Sequence, residues 1–508
     1  MISLNSITGL LKISVITSVI ALTGCGKMIS IDVRGEGDIS ASSGPSCKDG
    51  LIPDTGDETS LFNAFFGIAV GGPACTFPVD LFSYPTYTAE PKEGFVFYGW
   101  ENDCSGTDTC KARGLGGNNI TAFFYPEAVA AALDDLELED PWVNNCIADA
   151  MIKEETTNVD ELETLDCWIG HPLAGSVEFN VRELRDVGNV SKLGLYPGSQ
   201  LSRGFSQLLR GSNGADESTG VTVNLINEMD LVHLVSVSDL TLFNVMLEDP
   251  SLLVYLPLER LSITGTGLTS LDFLSNSVLL KELGLQNQPG VMNAENMAIL
   301  QSLENLEILA LQLNGLTSLD DVVLVDQIAE LNLHGNLIED LSPLDTLDNL
   351  TVVHLNNMEL TSLSELPDLN GIEEITLAGN ENLEYSAIGD LDVSTLKSLK
   401  IYNSDLDDED FAFITSVNYP ALEELVAYSN DFTDLSAMNA TNFPALKSLD
   451  IRWGDVETLA PLSELPALET LEISASSSAR ETICAEVTAL QAEAPNLVIN
   501  SYPSCAED

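Results

Sequence analysis

Apolar residues recur through the second half of the chain in one frame, Leu-x-x-Leu-x-Leu followed by x-x-Asn-x-Leu. Cores of this frame start at Leu258, Leu280, Leu306, Ile328, Leu350, Ile372, Leu396, Leu422, Leu446 and Leu468, with steps of 22 to 26 residues. Within a core, as in Leu396/Leu399/Ile401, the alternation places one set of side chains inside a short strand, and later leucines fill the turn that carries the chain back. No single coil can bury its own apolar face, so the pattern predicts stacked coils around a continuous core. Asn314, Asn336, Asn380 and Asn430 occupy the asparagine position, where side-chain amides can satisfy turn backbone groups of neighbouring coils. Met358, Ser404, Gly454 and Ser476 depart from it, and local irregularity is expected there. Between about 197 and 256 the frame is weak, and Gly211 to Gly220 reads as a polar loop.

The flanks have other patterns. Residues 31–126 are dense in Gly, Pro, Thr and aromatics, with alternating stretches at Phe95-Val-Phe-Tyr and Ile120-Thr-Ala-Phe-Phe that predict short strands. Trp100 reads as a core aromatic in preference to a sugar-stacking platform. The stretch Leu61 to Val70 reads as an extra buried strand in preference to a sticky loop. Residues 127–185 begin with the helical Glu127-Ala-Val-Ala-Ala-Ala-Leu and continue through two cysteine-bearing segments, as a cap that covers the first repeat. Residues 186–475 hold the repeats, irregular to about 257 and regular after. Residues 476–508 form a second cap, helical from Thr482.

Steps of 22 residues from Leu306 to Ile372 resemble the internalin class of leucine-rich repeat. That resemblance implies a leucine-rich-repeat solenoid, with a curved parallel sheet on its concave face, an irregular or 3-10 convex side, and helical caps. Glu90 to Trp100, then Cys104 to Cys110 and Thr121-Ala122-Phe123, resemble the divergent B-repeat of internalins. This implies a small all-β, β-grasp-like domain that acts as a spacer holding a binding head away from the envelope.

At the N-terminus, Lys12 precedes an apolar run from Ile13 to Leu22 that is too short to span a bilayer. It reads as a signal peptide over 1–24. Leu22-Thr23-Gly24-Cys25 resembles the bacterial lipobox, which implies diacylglycerol on Cys25, a tether over 25–30, and membrane attachment through that anchor. The absence of aspartate at Gly26 and Lys27 points by the same resemblance to the outer membrane.

Charge changes the picture of partners. Lys and Arg total 20 against 79 Asp and Glu, a net charge of -59. A phosphate backbone is repelled by such a field, so nucleic acid is an improbable partner. Nine cysteines leave eight once Cys25 is lipidated, an even number suited to an oxidising exterior. Proximity suggests Cys47 with Cys75, Cys104 with Cys110, Cys146 with Cys167, and Cys484 with Cys505. No Cys-x-x-Cys occurs and none of His171, His233, His334 and His354 adjoins a cysteine, which argues against zinc. The run Asp405 to Asp410 offers at most weak Ca²⁺ attraction; without the spacing and glycine of an EF-hand it reads as a solvated turn. No catalytic motif is recognisable, and no cofactor is expected.

The expected function is a surface-displayed, adhesin-like protein that uses its concave sheet to bind a partner protein. A self-associating envelope protein and a glycan-binding module are the alternatives. Strand alternation turns Ser398, Lys400 and Tyr402 outward, and the same offset in each coil gives a column in which Tyr402, Tyr428 and Arg452 are consecutive. These residues, with Lys400 and Trp453 beside them and His334 and His354 further along, are the ligand-contact candidates. Against this stands the reading that the tyrosines merely cover the sheet and Arg452 pairs with Glu424 or Glu472.

Overall fold

The computed structural model describes residues 26–34, 36–43, 46–47, 74–80, 85–111, 118–170, 176–187, 189–197, 222–291, 293–319, 327–363, 366, 370–474, 479–502 and 505. Cys25 and the signal segment, His171, the stretch 61–70, the loop 211–220, Ser476 and the Cys75 side chain lie outside the described residues. The rest falls into two compact units, one within Met1–Val190, Leu195–Phe205 and Ser218–Asn227, the other within Ser191–Gly194, Ser206–Glu217 and Glu228–Asp508.

The first unit opens with β1 (Gly26–Arg34), β2 (Gly37–Ala41), β3 (Ala74–Asp80), β4 (Thr86–Pro91), β5 (Phe95–Asn102), β6 (Cys110–Lys111) and β7 (Asn118–Pro126). One sheet has the order β3-β1-β7-β5, parallel only at its β1–β7 centre, and a second has the order β2-β4-β6. Ile29, Ile31 and Val33 alternate into the core against Ile120, Ala122 and Phe124. That alternation begins inside the segment expected to be a tether, so residues 26–30 are strand instead. Trp100 is buried in the same core, with its indole Nε1 donating to the Asp108 carbonyl. Cys104–Cys110 closes the loop after β5. Cys47 is also disulfide-bonded.

Helices α1 (Glu127–Asp134) and α2 (Pro141–Lys153) follow, then β8 (Thr164–Ile169). Asp140 caps α2 by accepting from Trp142 N at 2.8 Å, with Pro141 in the first turn where no amide hydrogen is needed. Cys146–Cys167 staples α2 to β8. Arg34 is buried between these elements. Its Nε donates to Asp32 Oδ2 at 2.8 Å, its Nη1 to the Trp168 carbonyl at 3.1 Å and its Nη2 to the Gly170 carbonyl at 3.3 Å. Burial pushes the nearby Asp149 carboxyl up to about 6, against the opposing pull of Arg34 and of the Asn145 amide.

The second unit is the leucine-rich-repeat solenoid. From Asp239–Phe243 to Val498–Tyr502 each strand of the long sheet pairs with the next strand of that sheet in chain order, always parallel and in the register of the apolar frame, while the short strand Val245–Met246 belongs to another sheet. Leu261, Leu283, Leu309, Leu331 and Val353 lie opposite one another strand by strand and are buried. The regular array starts one coil earlier than the frame indicates, because Val237, Leu240 and Leu242 carry it in the stretch that read as weak. Coil length decides the returning side. The 22-residue coils starting at Ile328 and Leu446 return through 3-10 turns at Ser342–Thr346 and Ala460–Glu464. The 26-residue coils starting at Leu280 and Leu396 hold α3 (Ala294–Gln301) and α4 (Asp408–Ser416).

The asparagine ladder is present. Asn336 Nδ2 donates to the carbonyls of Leu311 at 2.9 Å and Leu333 at 2.7 Å, while its Oδ1 accepts from Asn314 N and Leu316 N, each at 3.1 Å. Asn380 and Asn430 repeat the pattern. The ladder tolerates Met358 and Ser404 because only their backbone amides are needed, donating to Asn380 Oδ1 and Asn430 Oδ1. Gln288 adds a rung that the asparagine pattern does not show, bonding Leu268 N and Thr266 Oγ1.

Asp405 to Asp410 is not a solvated turn. Asp407 caps α4, accepting from Glu409 N at 2.8 Å and Asp410 N at 3.0 Å, and Asp408 Oδ1 accepts from Thr433 N at 2.6 Å. Beyond the last repeat, α5 (Arg480–Glu493) buries Ile483, Val487 and Leu490, and Cys484–Cys505 ties the end of the chain to it. Between them Val498–Tyr502 adds a further strand to the sheet, where a cap alone was expected. Among the described residues no helix is long and apolar enough to cross a membrane.

Candidate functional site: an aromatic row on the solvent face of the sheet

Strand alternation sets the site. In the strand Ser398–Lys400 and its continuation, Leu399 and Ile401 are buried while Lys400 and Tyr402 are half-buried on the opposite face. Parallel pairing in a constant register then stacks equivalent residues of successive coils about 4.8 Å apart. Tyr402 and Tyr428 become neighbours, with ring centroids 4.5 Å apart and planes inclined by 10°. Arg452 comes next, its guanidinium 5.6 Å from the Tyr428 ring centre, 5.0 Å from that of Trp453 and 5.7 Å from that of Tyr502. Trp453 meets Tyr428 edge-on at 5.5 Å. Ser474 fills the column between Arg452 and Tyr502, and its small side chain leaves room for the guanidinium above it.

Arg452 does not pair with Glu424 or Glu472. It forms a two-pronged ion pair with Asp450 on its own strand, Nε to Oδ1 at 2.9 Å and Nη2 to Oδ2 at 2.6 Å. Residues two apart on a strand share a face, so this partner is nearer than any on a neighbouring coil. The pair fixes the guanidinium plane and holds Arg452 more strongly charged than usual. Lys400 is also engaged, with Nζ 2.7 Å from Glu374 Oε1 and 3.6 Å from Glu424 Oε2. Burial draws the Lys400 pKa down, but these carboxylates outweigh it and the net shift is upward. The Tyr428 hydroxyl is pushed up to about 12, first by burial and then by Tyr402 and Asp450. Burial raises Tyr402 as well, with Lys400 opposing.

Among the described residues, the one after each column position adopts the left-handed backbone conformation. It is Gly265, Asn287, Gly335, Asn357, Gly379 and Asn403 in six coils, residue types that tolerate positive φ, and Leu313 and Ser429 in two others. At φ 55° Trp453 occupies the same position, with its side chain 60% exposed. A bulky residue in this conformation is held there against its own backbone preference.

His334 and His354 lie on earlier coils and do not join the row. His354 Nδ1 is 3.2 Å from Thr376 Oγ1 and its Nε2 is 3.5 Å from Glu330. Tyr502, 46% exposed, was missed in the sequence because its strand follows a coil lengthened by α5; the alternation Val498-Ile-Asn-Ser-Tyr502 was the available signal. Among the described residues no group of three or more His, Cys, Asp or Glu is arranged to hold a metal ion.

No protein-family model and no curated protein matches this chain. Among solved structures it is similar to an internalin of Listeria monocytogenes, InlF, at 17% identity and a TM-score of 0.36, over 72% of this chain and 90% of that one. The functional domain of InlJ from the same organism, which includes a cysteine ladder, aligns at 15% identity and a TM-score of 0.33, over 62% and 70%. The leucine-rich-repeat ectodomain of the Arabidopsis receptor kinase HAESA, solved with a peptide hormone ligand, aligns at 17% identity and a TM-score of 0.31, over 63% and 55%. The leucine-rich-repeat fold rests on the strand register and the asparagine ladder of this chain.

Proposed function

We propose that the chain is an adhesin-like binding protein of the bacterial envelope, anchored through a lipid on Cys25, that holds a partner protein on the solvent face of its repeat sheet. It has no catalytic role in this reading. The first unit serves as an internalin-type spacer. The observation that carries the proposal is the row Tyr402, Tyr428, Arg452 and Tyr502 with Trp453 beside it. Tyrosine, tryptophan and arginine dominate protein-binding hot spots because they bury large areas with few rotamers to fix. A glycan finds no free face between Tyr402 and Tyr428, whose facing surfaces cover each other.

Replacing Tyr402, Tyr428 and Arg452 together by Ala tests the site. The triple variant loses the protein captured by the unaltered chain from extracts of neighbouring cells, and still unfolds cooperatively. Retention of that protein by a folded triple variant moves the site elsewhere. Cys25→Ser tests the anchor by its transfer from the membrane to the soluble fraction.

A further inference from the structure

We infer that the partner segment received by the aromatic row is a basic polypeptide, whose arginine or lysine side chains lie against Trp453 and Tyr502 and between the carboxylates that flank the row. This rests on the proposed use of the sheet face for a partner protein and specifies its chemistry. The first ground is charge. The chain carries a net charge of -59, and the row's own cations, Lys400 and Arg452, are outnumbered by the four carboxylates of Glu374, Glu424, Asp450 and Glu472. Both cations are neutralised within the protein, so neither repels an incoming positive charge at full strength. Glu472 Oε1 accepts from Asn500 Nδ2, while its Oε2 is buried and has no hydrogen-bond partner among the described residues, so this carboxylate acts on an incoming cation through its charge.

The second ground is the filling of the row. Within the row Tyr428 and Tyr502 stand on either side of the Arg452 guanidinium at 5.6 and 5.7 Å. A planar cation is therefore a side chain that this spacing already accommodates. Trp453 and Tyr502 are the two most exposed rings of the row, so they offer the faces on which another cation can stack. Acidic segments meet repulsion from the excess of two carboxylates that remains once Lys400 and Arg452 are paired.

The test uses the purified full chain, a fluorescein-labelled Arg-Ser repeat peptide, its Glu-Ser counterpart and a chitin oligosaccharide. The Arg-Ser peptide is expected to bind, and more weakly as salt rises. Glu424→Gln with Glu472→Gln, and separately Trp453→Ala, are expected to weaken it on the order of tenfold, the scale of one desolvated cation–π contact. Glu259→Gln with Glu282→Gln, on distant coils, removes the same charge and is expected to leave binding within about twofold, since these side chains lie beyond the Debye length of the row. Circular dichroism confirms that each variant is folded. Equal weakening by the distant pair, no binding of the Arg-Ser peptide, or row-dependent binding of the acidic peptide or the oligosaccharide instead overturns the inference. Loss of the captured protein in the triple variant of the preceding section would still stand in each of these cases, so the two readings fail separately.

Discussion

Tyr402 and Tyr428 lie face to face at 4.5 Å, and their hydroxyls have no hydrogen-bond partner among the described residues. Neither ring is in the core; both stand on the sheet and support one another. Such a stack keeps two large apolar surfaces ordered before a partner arrives, which lowers the entropy lost on binding. The Arg452–Asp450 pair extends the order by one coil, because a guanidinium held by two parallel bonds cannot swing away from the Tyr428 ring.

The asparagine ladder sets the stability of the coils beneath. Asn336→Ala removes two donated and two accepted hydrogen bonds and strands the Leu311 carbonyl and the Asn314 amide in the core. Each buried group left unpaired costs about 1–3 kcal/mol, so a loss of about 3 kcal/mol or more is expected. Urea unfolding followed by circular dichroism reads it as a lower midpoint. Asn305→Ala, an exposed change on the returning side, serves as the control with a small effect.

Much of this fold was legible in the sequence because leucine spacing and strand alternation are physically tied. The triplet Leu396/Leu399/Ile401 already places Lys400 and Tyr402 on one face, and a constant register makes Tyr402 and Tyr428 neighbours. What stayed hidden depends on chain lengths that no frame encodes. Val498–Tyr502 joins the sheet only after α5, so Tyr502 fell outside the column. The Arg452–Asp450 pair was implied by alternation and overlooked in favour of partners on adjacent coils. Asp405 to Asp410 misled because acidic residues suit a helix start as well as a turn, and Asp407 settles the choice by capping α4.

In the first unit, burial raises Asp149 from an ordinary 3.8 to about 6. The folded chain therefore holds a proton that the unfolded chain releases. The associated stability is fully present below 3.8 and is lost as pH rises through about 6. The difference corresponds to an upper bound of about 3 kcal/mol. Asp149→Asn keeps the uncharged shape at every pH. It is expected to raise the unfolding midpoint of this unit above pH 6 and to leave it nearly unchanged below 3.8, in a calorimetric pH series. A variant that destabilises above pH 6 would show instead that Arg34 needs both Asp32 and Asp149 as counterions.

The Cys484–Cys505 bridge spans 21 residues and closes the segment that carries Tyr502. Replacing both cysteines by Ser is expected to cost about 2–4 kcal/mol through the larger freedom of the unfolded chain. Hydrogen exchange should show the loss first in Val498–Tyr502, the last strand of the sheet. The row then loses one of the three rings around Arg452, and its affinity for partner is expected to fall while the strand Ser398–Lys400 stays protected.

Trp453 separates binding from folding most sharply. At φ 55° its backbone conformation costs a non-glycine residue about 1–2 kcal/mol. Against this stand its contact with the Arg452 guanidinium at 5.0 Å, in a half-exposed setting where cation–π pairs contribute about 0.5–1 kcal/mol, and its edge-on contact with Tyr428 at 5.5 Å, of similar size. The strain and the contacts nearly cancel. Trp453→Gly, which places at this coil the residue found at Gly335 and Gly379, is therefore expected to leave stability within about 1 kcal/mol and the unfolding midpoint nearly unchanged. The Ser474 hydroxyl still accepts from the backbone amide at position 453, because that bond involves no side chain of Trp453. Removing an indole that is 60% exposed takes nothing from the core, whereas it takes the most accessible ring from the row. Partner affinity is expected to fall on the order of tenfold or more in the same variant. A midpoint that drops together with affinity would make Trp453 a packing residue, and a midpoint that holds while affinity is kept would remove it from the binding surface.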